Sequence, residues 1–182
     1  MKVRLATRED IAAVSAIYEA IHTVEEGREK TIGWIRGVYP TEKTAQDALE
    51  KGELYVMERE GRVVAAAKIN QEQGEEYLDC PWQYEAVPEE VLVLHTLVVD
   101  PAVAGQGCGT AFVAFYEDLA REMGCPFLRM DTNALNKPAR KLYASLGYRE
   151  PGIVKCVFNG IPNVDSQMKP PQWPSWRWKH WK

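Results

Sequence analysis

The segment of this chain best suited to chemistry is an apolar run followed by a glycine-rich turn. Leu94-His95-Thr96-Leu97-Val98-Val99-Asp100-Pro101 leads to Ala104-Gly105-Gln106-Gly107-Cys108-Gly109-Thr110. The apolar run reads as a buried strand, and the residues from Gly107 onward read as a helix. A turn of this kind aims successive backbone N–H groups at an anion, at the positive end of the helix dipole. Glycine is needed there because side chains would hold phosphate oxygens away. A diphosphate is the ligand that such a cradle suits. A P-loop is excluded, because no lysine follows these glycines. A GxGxxG fingerprint fails at its third glycine, which would fall on Thr110 or on Phe112. Taken by itself, the segment leaves open a second reading, a glycine-rich turn that only starts a helix.

A second segment narrows the choice: Asn136-Lys137-Pro138-Ala139-Arg140-Lys141-Leu142-Tyr143-Ala144-Ser145-Leu146-Gly147-Tyr148. With it, the sequence resembles the GNAT superfamily of acetyl-CoA-dependent N-acetyltransferases. The first segment is similar to the family's "L-x-V-x-P" strand and its [RQ]-x-x-G-x-[GA] phosphate motif, through Leu97, Val99, Pro101, Gly107 and Gly109. The second is similar to N-x-x-A-x-x-L-Y-x-x-x-G-F almost position for position. The resemblance covers roughly residues 1–165. Ala104 departs from the pattern, standing where the family usually has Arg or Gln, so one polar contact to the diphosphate is missing. Lys137, Arg140 or Lys141 is expected to supply compensating charge.

Acyl transfer to an amine poses three problems. An alkylammonium, with a pKa of about 10, must lose a proton. The oxyanion of the tetrahedral intermediate must be stabilised, and the thiolate must leave. The resemblance implies Tyr143 near the thioester sulfur, as proton donor to the leaving thiolate. It implies backbone contacts from Leu97, Val98 and Val99 to the pantetheine arm, with the Leu97 N–H facing the thioester carbonyl. The phosphate cradle would be Ala104, Gly105, Gln106, Gly107, Cys108, Gly109 and Thr110, with Asn136 near the cofactor. Asn136 is also a helix cap in its own right, ahead of Lys137-Pro138. His95 is the candidate base, directly or through a water, because imidazole titrates near neutrality. The alternative for His95 is a satisfied histidine in a buried sheet. Trp34, Tyr39, Trp82, Tyr84 and Asp131 are the candidate acceptor contacts, the aromatics for stacking on a cationic or apolar amine. Turn chemistry also accounts for Asp131 and Asn133. His22 reads as structural, and Cys108 has nothing beside it to make it a nucleophile.

Those residues need elements to hold them. Residues 2–6, 53–59, 62–70, 91–99, 127–131 and 153–158 read as strands, and residues 10–24, 31–51, 107–123 and 136–146 as helical regions, the second interrupted at Pro40. Glu60-Gly61 and Asn159-Gly160 read as hairpin turns. Thr7 with Asp10 resembles a capping box, and Gly52 and Gly147 close helices. Residues 71–90 form a long polar loop. The class is α/β or α+β, with a mixed, mostly antiparallel central sheet flanked by helices. One acetyltransferase domain is expected over 1–168, and a Trp/Pro/basic tail of disorder-prone composition over 169–182. Four of the six tryptophans lie in the last ten residues. That tail reads either as a segment for a partner or an anionic surface, or as an artefact of reading frame.

Composition fits a globular protein of one domain. A net charge of −4, which becomes −8 without the tail, argues against nucleic acid as partner. No apolar stretch is long enough to span a bilayer, and no Cys/His spacing suits a metal. Cys80, Cys108, Cys125 and Cys156 read as reduced thiols of a cytoplasmic protein. The expected activity is transfer of an acetyl group from acetyl-CoA to a primary amine of a small molecule, by direct attack in a ternary complex. Protein or peptide N-acetylation and noncatalytic acyl-CoA binding are the alternatives. Homodimers are common in the family, and a homodimer is compatible with the sequence.

Overall fold

The computed structural model describes residues 1–27, 31–78, 80–158 and 161–169. Its strands are β1 (Lys2–Leu5), β2 (Leu54–Arg59), β3 (Arg62–Asn70), β4 (Val91–Val99), β5 (Phe127–Asn133), β6 (Gly152–Phe158) and β7 (Ile161–Lys169). Its helices are α1 (Ile11–Glu26), α2 (Glu42–Glu50), α3 (Cys108–Met123) and α4 (Lys137–Ser145). The strands form one sheet in the order β1-β2-β3-β4-β5-β7-β6. Every neighbouring pair is antiparallel except β4 and β5, which α3 connects. A parallel pair needs such a crossover.

Strand alternation sorts the core into two layers. Val56 and Ala66 point to the face covered by α1 and α2, where Ile11, Val14, Ile17, Tyr18 and Ile21 are buried. Met57, Ala65 and Ala67 point to the other face, covered by Phe112, Val113, Tyr116 and Ala120 of α3 and by Tyr143 of α4. Each helix thus buries the stripe that its apolar spacing predicts. Glu60 and Gly61 adopt φ of +53° and +75°, the pair of left-handed residues that a type I′ hairpin requires. The Asp10 carboxylate accepts the Thr7 backbone N–H at 2.8 Å, as a capping box demands.

One expectation is corrected. The helical region over 31–51 is helical only in α2; residues 31–40 form an irregular turn with one isolated bridge, Ile35 to Tyr39. Gly33 and Gly37 take left-handed φ of +78° and +74°, which interrupts any helix there. A last strand, β7, follows β6 and runs to Lys169, because β6 and β5 both pair with it. Pairing partners override a weak local pattern. The expected turn at Asn159-Gly160 and the tail beyond Lys169 lie outside the described residues. Cys80, Cys108 and Cys125 are buried free thiols. No helix among the described residues is long and apolar enough to cross a membrane.

Candidate active site

The site begins where the parallel pair parts. β4 and β5 are in register only from Val91 with Phe127 to Leu94 with Met130. Beyond Leu94, β4 stays with β3 while β5 moves over to β7. A cleft of about 380 Å³ opens in the gap, within the range of small-molecule sites. Thr96, Leu97, Val98 and Val99 form one wall, and Asp131, Thr132 and Asn133 form the other. Its outer end is lined by Ala104 and Gly109, and Tyr143 of α4 closes part of its side. Ile21, Val24, Ile32 and Trp34 line it from the α1 layer.

The β4 wall is irregular at its base. The register with β3 shifts between Ala66 and Lys68, so that three steps of β4, from His95 to Val98, oppose two of β3. The extra residue falls at Thr96, whose φ is +52°. A β-branched residue in that region is costly, on the order of 1–3 kcal/mol. Such a bulge re-aims side chains, and it turns Thr96 into the cleft. There its Oγ1 shares a hydrogen bond with the Tyr39 hydroxyl. Tyr39 in turn stands edge-on to Trp34, with ring centroids 5.9 Å apart.

The outer end has the form that the glycines predict. Gly105 and Gly107 have φ of +76° and +83°, and a Cβ on either would meet nothing within 4 Å. The backbone there faces open space. The first bond of α3 runs from the Ala111 N–H to the Gly107 carbonyl at 3.0 Å, so the N–H groups of Cys108, Gly109 and Thr110 precede the helical ladder. Such groups suit an anion. At Gly109 a Cβ would come within 3.0 Å of Leu142 Cδ2, which explains the close approach of α3 to α4. Gln106 accepts a hydrogen bond from Arg59 at 2.6 Å, and Cys108 is buried. Arg140 is paired with Glu150 at 2.8 Å and donates to the Ala134 carbonyl at 3.0 Å. Lys137 and Lys141 are exposed.

Asn136 caps α4, accepting the Ala139 N–H at 3.2 Å while its amide donates to Thr132 Oγ1 at 3.1 Å. It thereby ties the helix that carries Tyr143 to the β5 wall. Tyr143 is almost wholly buried. Burial, and then the charge of Asp131, hold its phenol well above the usual tyrosine range, so it remains protonated throughout the working pH range. The Asp131 carboxylate accepts the Tyr77 hydroxyl at 2.8 Å. Tyr77 is itself 2% exposed.

His95 does not line the cleft. Its Nε2 lies 2.9 Å from Asn70 Oδ1, which also accepts the Glu72 N–H at 3.1 Å. With Asn70 Oδ1 as acceptor, Nε2 is the donor of this pair. Burial, followed by the charge of Lys68, pushes the imidazole down to about 4. His22 is structural as expected, donating from Nε2 to the Pro40 carbonyl at 3.0 Å. Among the expected acceptor aromatics, Trp34 lines the cleft and Tyr39 touches its wall. Trp82 and Tyr84 do not line it. Trp82 stacks on Tyr77 and donates to the Tyr77 carbonyl at 2.8 Å, with the Arg129 guanidinium 4.1 Å from its ring. Tyr84 packs near Phe127. Those two rings hold the 71–90 loop down. Sequence reasoning missed Tyr77, whose partner lies 54 positions away and leaves no local signal.

Comparison with known proteins agrees with this geometry. Residues 15–148 match the acetyltransferase (GNAT) family. A segment of 77 residues is 32% identical to an uncharacterized N-acetyltransferase of Methanocaldococcus jannaschii; it covers 42% of this chain and only about a third, 34%, of that relative. A GNAT-family acetyltransferase of Streptococcus agalactiae has the same fold, with a TM-score of 0.75 at 21% identity over 94% of this chain and 96% of that one. So does yncA of Salmonella typhimurium, solved with its cofactor acetyl-CoA, with a TM-score of 0.67 at 21% identity over 94% and 93% of the two chains.

Proposed function

The chain belongs to the acetyltransferase (GNAT) family, and from that premise we propose that it transfers an acetyl group from acetyl-CoA to a primary amine of a small molecule, by direct attack with both substrates held together. The observation that carries the reading is the parting of β4 from β5, which joins the glycine-opened start of α3 to Tyr143 and Asp131 in one cleft. Bound acetyl-CoA supplies an acetyl group already activated as a thioester.

The residues fit such a ligand at both ends. The N–H groups of Cys108, Gly109 and Thr110 would hold the diphosphate, and Ala104, Gly105, Gln106 and Gly107 would leave room for it. The backbones of Leu97, Val98 and Val99, which line the cleft, would hold the pantetheine arm, and the Leu97 N–H would donate to the thioester carbonyl oxygen. Asn136 holds α4 in place, and the protonated Tyr143 hydroxyl would donate a hydrogen bond to the departing sulfur, which leaves as the thiol carrying the proton that the attacking amine gives up. Asp131 draws a cationic acceptor to the β5 wall beside Tyr143, and Trp34 offers it an aromatic face.

The test is acetyl-CoA consumption and thiol release over a panel of amines and peptides. Tyr143→Phe is expected to lower kcat by about tenfold or more, the scale of one acid–base group. Asp131→Asn is expected to raise KM for the amine about tenfold while leaving that for acetyl-CoA near its original value. Acetyl-CoA binding without turnover on any acceptor would favour the noncatalytic reading, and turnover confined to peptides would favour the protein-directed one.

A further inference from the structure

Tyr39 belongs to the irregular 31–40 turn rather than to any element of the sheet, yet it reaches the cleft wall. The turn is fastened to α1 at three points. The buried Glu25 carboxylate accepts the N–H groups of Thr31 and Ile32, each at 2.8 Å. The His22 ring donates to the Pro40 carbonyl at 3.0 Å. Arg36 donates to Glu26 at 3.0 Å and to Glu19. Held in this way, the turn presents Tyr39 to Thr96 from the α1 side, with Trp34 edge-on against the same ring.

Thr96 is the residue that needs help. It is β-branched, it is not glycine, and it sits at φ +52° in the middle of a strand. Nothing in its own chemistry favours that conformation. Asn, Asp or Gly at this position would be self-sufficient. A strained residue persists when its surroundings over-determine it, and the Tyr39 hydroxyl is the partner found on Thr96 Oγ1. Thr96 directly precedes Leu97, Val98 and Val99, and all four line the cleft.

We propose that Tyr39 is a positioning residue for the cofactor site: its hydrogen bond to Thr96 holds the left-handed bulge that aims the Leu97–Val99 backbone into the cleft. Tyr39 acts through Thr96 and does not contact the reacting atoms. The proposal rests on the acetyl-CoA reading above, and it changes the role of Tyr39 from acceptor contact to support of the opposite ligand.

The experiment is calorimetric acetyl-CoA affinity of the full chain, needing no acceptor and no turnover. Tyr39→Phe keeps the ring and the packing on Trp34 and removes only the hydroxyl. It is made alone, with Thr96→Val and with Thr96→Gly. The expected result is an affinity about tenfold weaker for Tyr39→Phe, the scale of one lost hydrogen bond. With Thr96→Val, which has no Oγ1, the same change should cost less than about twofold further. With Thr96→Gly, which takes φ +52° without strain, it should again cost less than about twofold. An equal loss in all three backgrounds would mean that the hydroxyl acts elsewhere, and would overturn the proposal. Unchanged affinity of Tyr39→Phe would overturn it as well. Wild-type protein that binds no acetyl-CoA would overturn the acetyl-CoA reading and this proposal together. Melting temperatures of each variant separate lost affinity from lost folding.

Discussion

His22 and His95 make the same point about single residues in opposite ways. His22 and His95 both sit in enclosed positions and both meet an oxygen acceptor. His22 has a carbonyl to donate to, and its role could be read from its place on the buried face of a helix. His95 lies two residues before Leu97, where the family resemblance suggests a base, but its ring turns to Asn70 and away from the cleft. Which way a strand residue points depends on register, and the bulge at Thr96 changes that register after His95. The imidazole is pushed down to about 4 by burial and by Lys68, against about 6.5 in an unfolded chain. Between those values the unfolded chain binds a proton that the folded one refuses. Stability therefore falls as pH drops from about 6.5 to about 4 and levels off below, a span on the order of 3 kcal/mol. Thermal melts across that window should show the slope in the wild type and a smaller one in His95→Gln, which keeps a donor for Asn70. The same variant separates the two roles. A structural His95 predicts kcat/KM at pH 7.5 within about threefold of wild type, whereas a catalytic base predicts a loss of about a hundredfold or more.

Most elements were legible because their periods are clear. The stripe Ile11, Val14, Ile17, Tyr18 and Ile21 has only one face to bury, and Glu60-Gly61 permits little except a tight hairpin. The 31–40 turn was misread because Ile32, Ile35 and Tyr39 mimic helical spacing, while the left-handed Gly33 and Gly37 decide otherwise. The bonds that make the cleft, Tyr39 to Thr96 and Tyr77 to Asp131, join residues 57 and 54 positions apart. No local pattern encodes them. The start of α3 was the most legible element of the site, and it carries its own test. Gly107 is the N-cap of α3 and is left-handed, with open space on its Cβ side. Gly107→Ala should therefore cost roughly 1 kcal/mol or more through φ alone, without a clash. An added methyl on that open side would also face the proposed diphosphate position. The expected outcome is weaker binding of acetyl-CoA and of 3′,5′-ADP by a similar factor of about ten or more, because both carry phosphate at this end. Loss of acetyl-CoA binding with 3′,5′-ADP unaffected would move the phosphates away from α3.

At the scale of the molecule, the cleft is a break in an otherwise continuous sheet. β4 belongs to the strands that α1 and α2 cover, and β5 leads to α4 and β7. The core beneath α3 joins both halves, but beyond Leu94 and Met130 no ladder does so. A ligand lying between Thr96–Val99 and Asp131–Asn133 therefore replaces sheet contacts that the fold leaves out. Binding to the native state alone raises stability by about 2.7 kcal/mol at a hundredfold excess over Kd. For a domain of this size, that corresponds to a rise of roughly 5–10 °C in Tm. Because the ligand joins the two halves, the rise should be the same by tryptophan fluorescence and by far-ultraviolet circular dichroism, one transition moving as a unit. Hydrogen exchange should slow at Leu97–Val99 and at Asp131–Asn133 together, since each segment is an edge that the other lacks. Slowing on the β4 side alone, with β5 unchanged, would place acetyl-CoA along one strand rather than in the gap, and Asp131 and Tyr143 would then lose their common site.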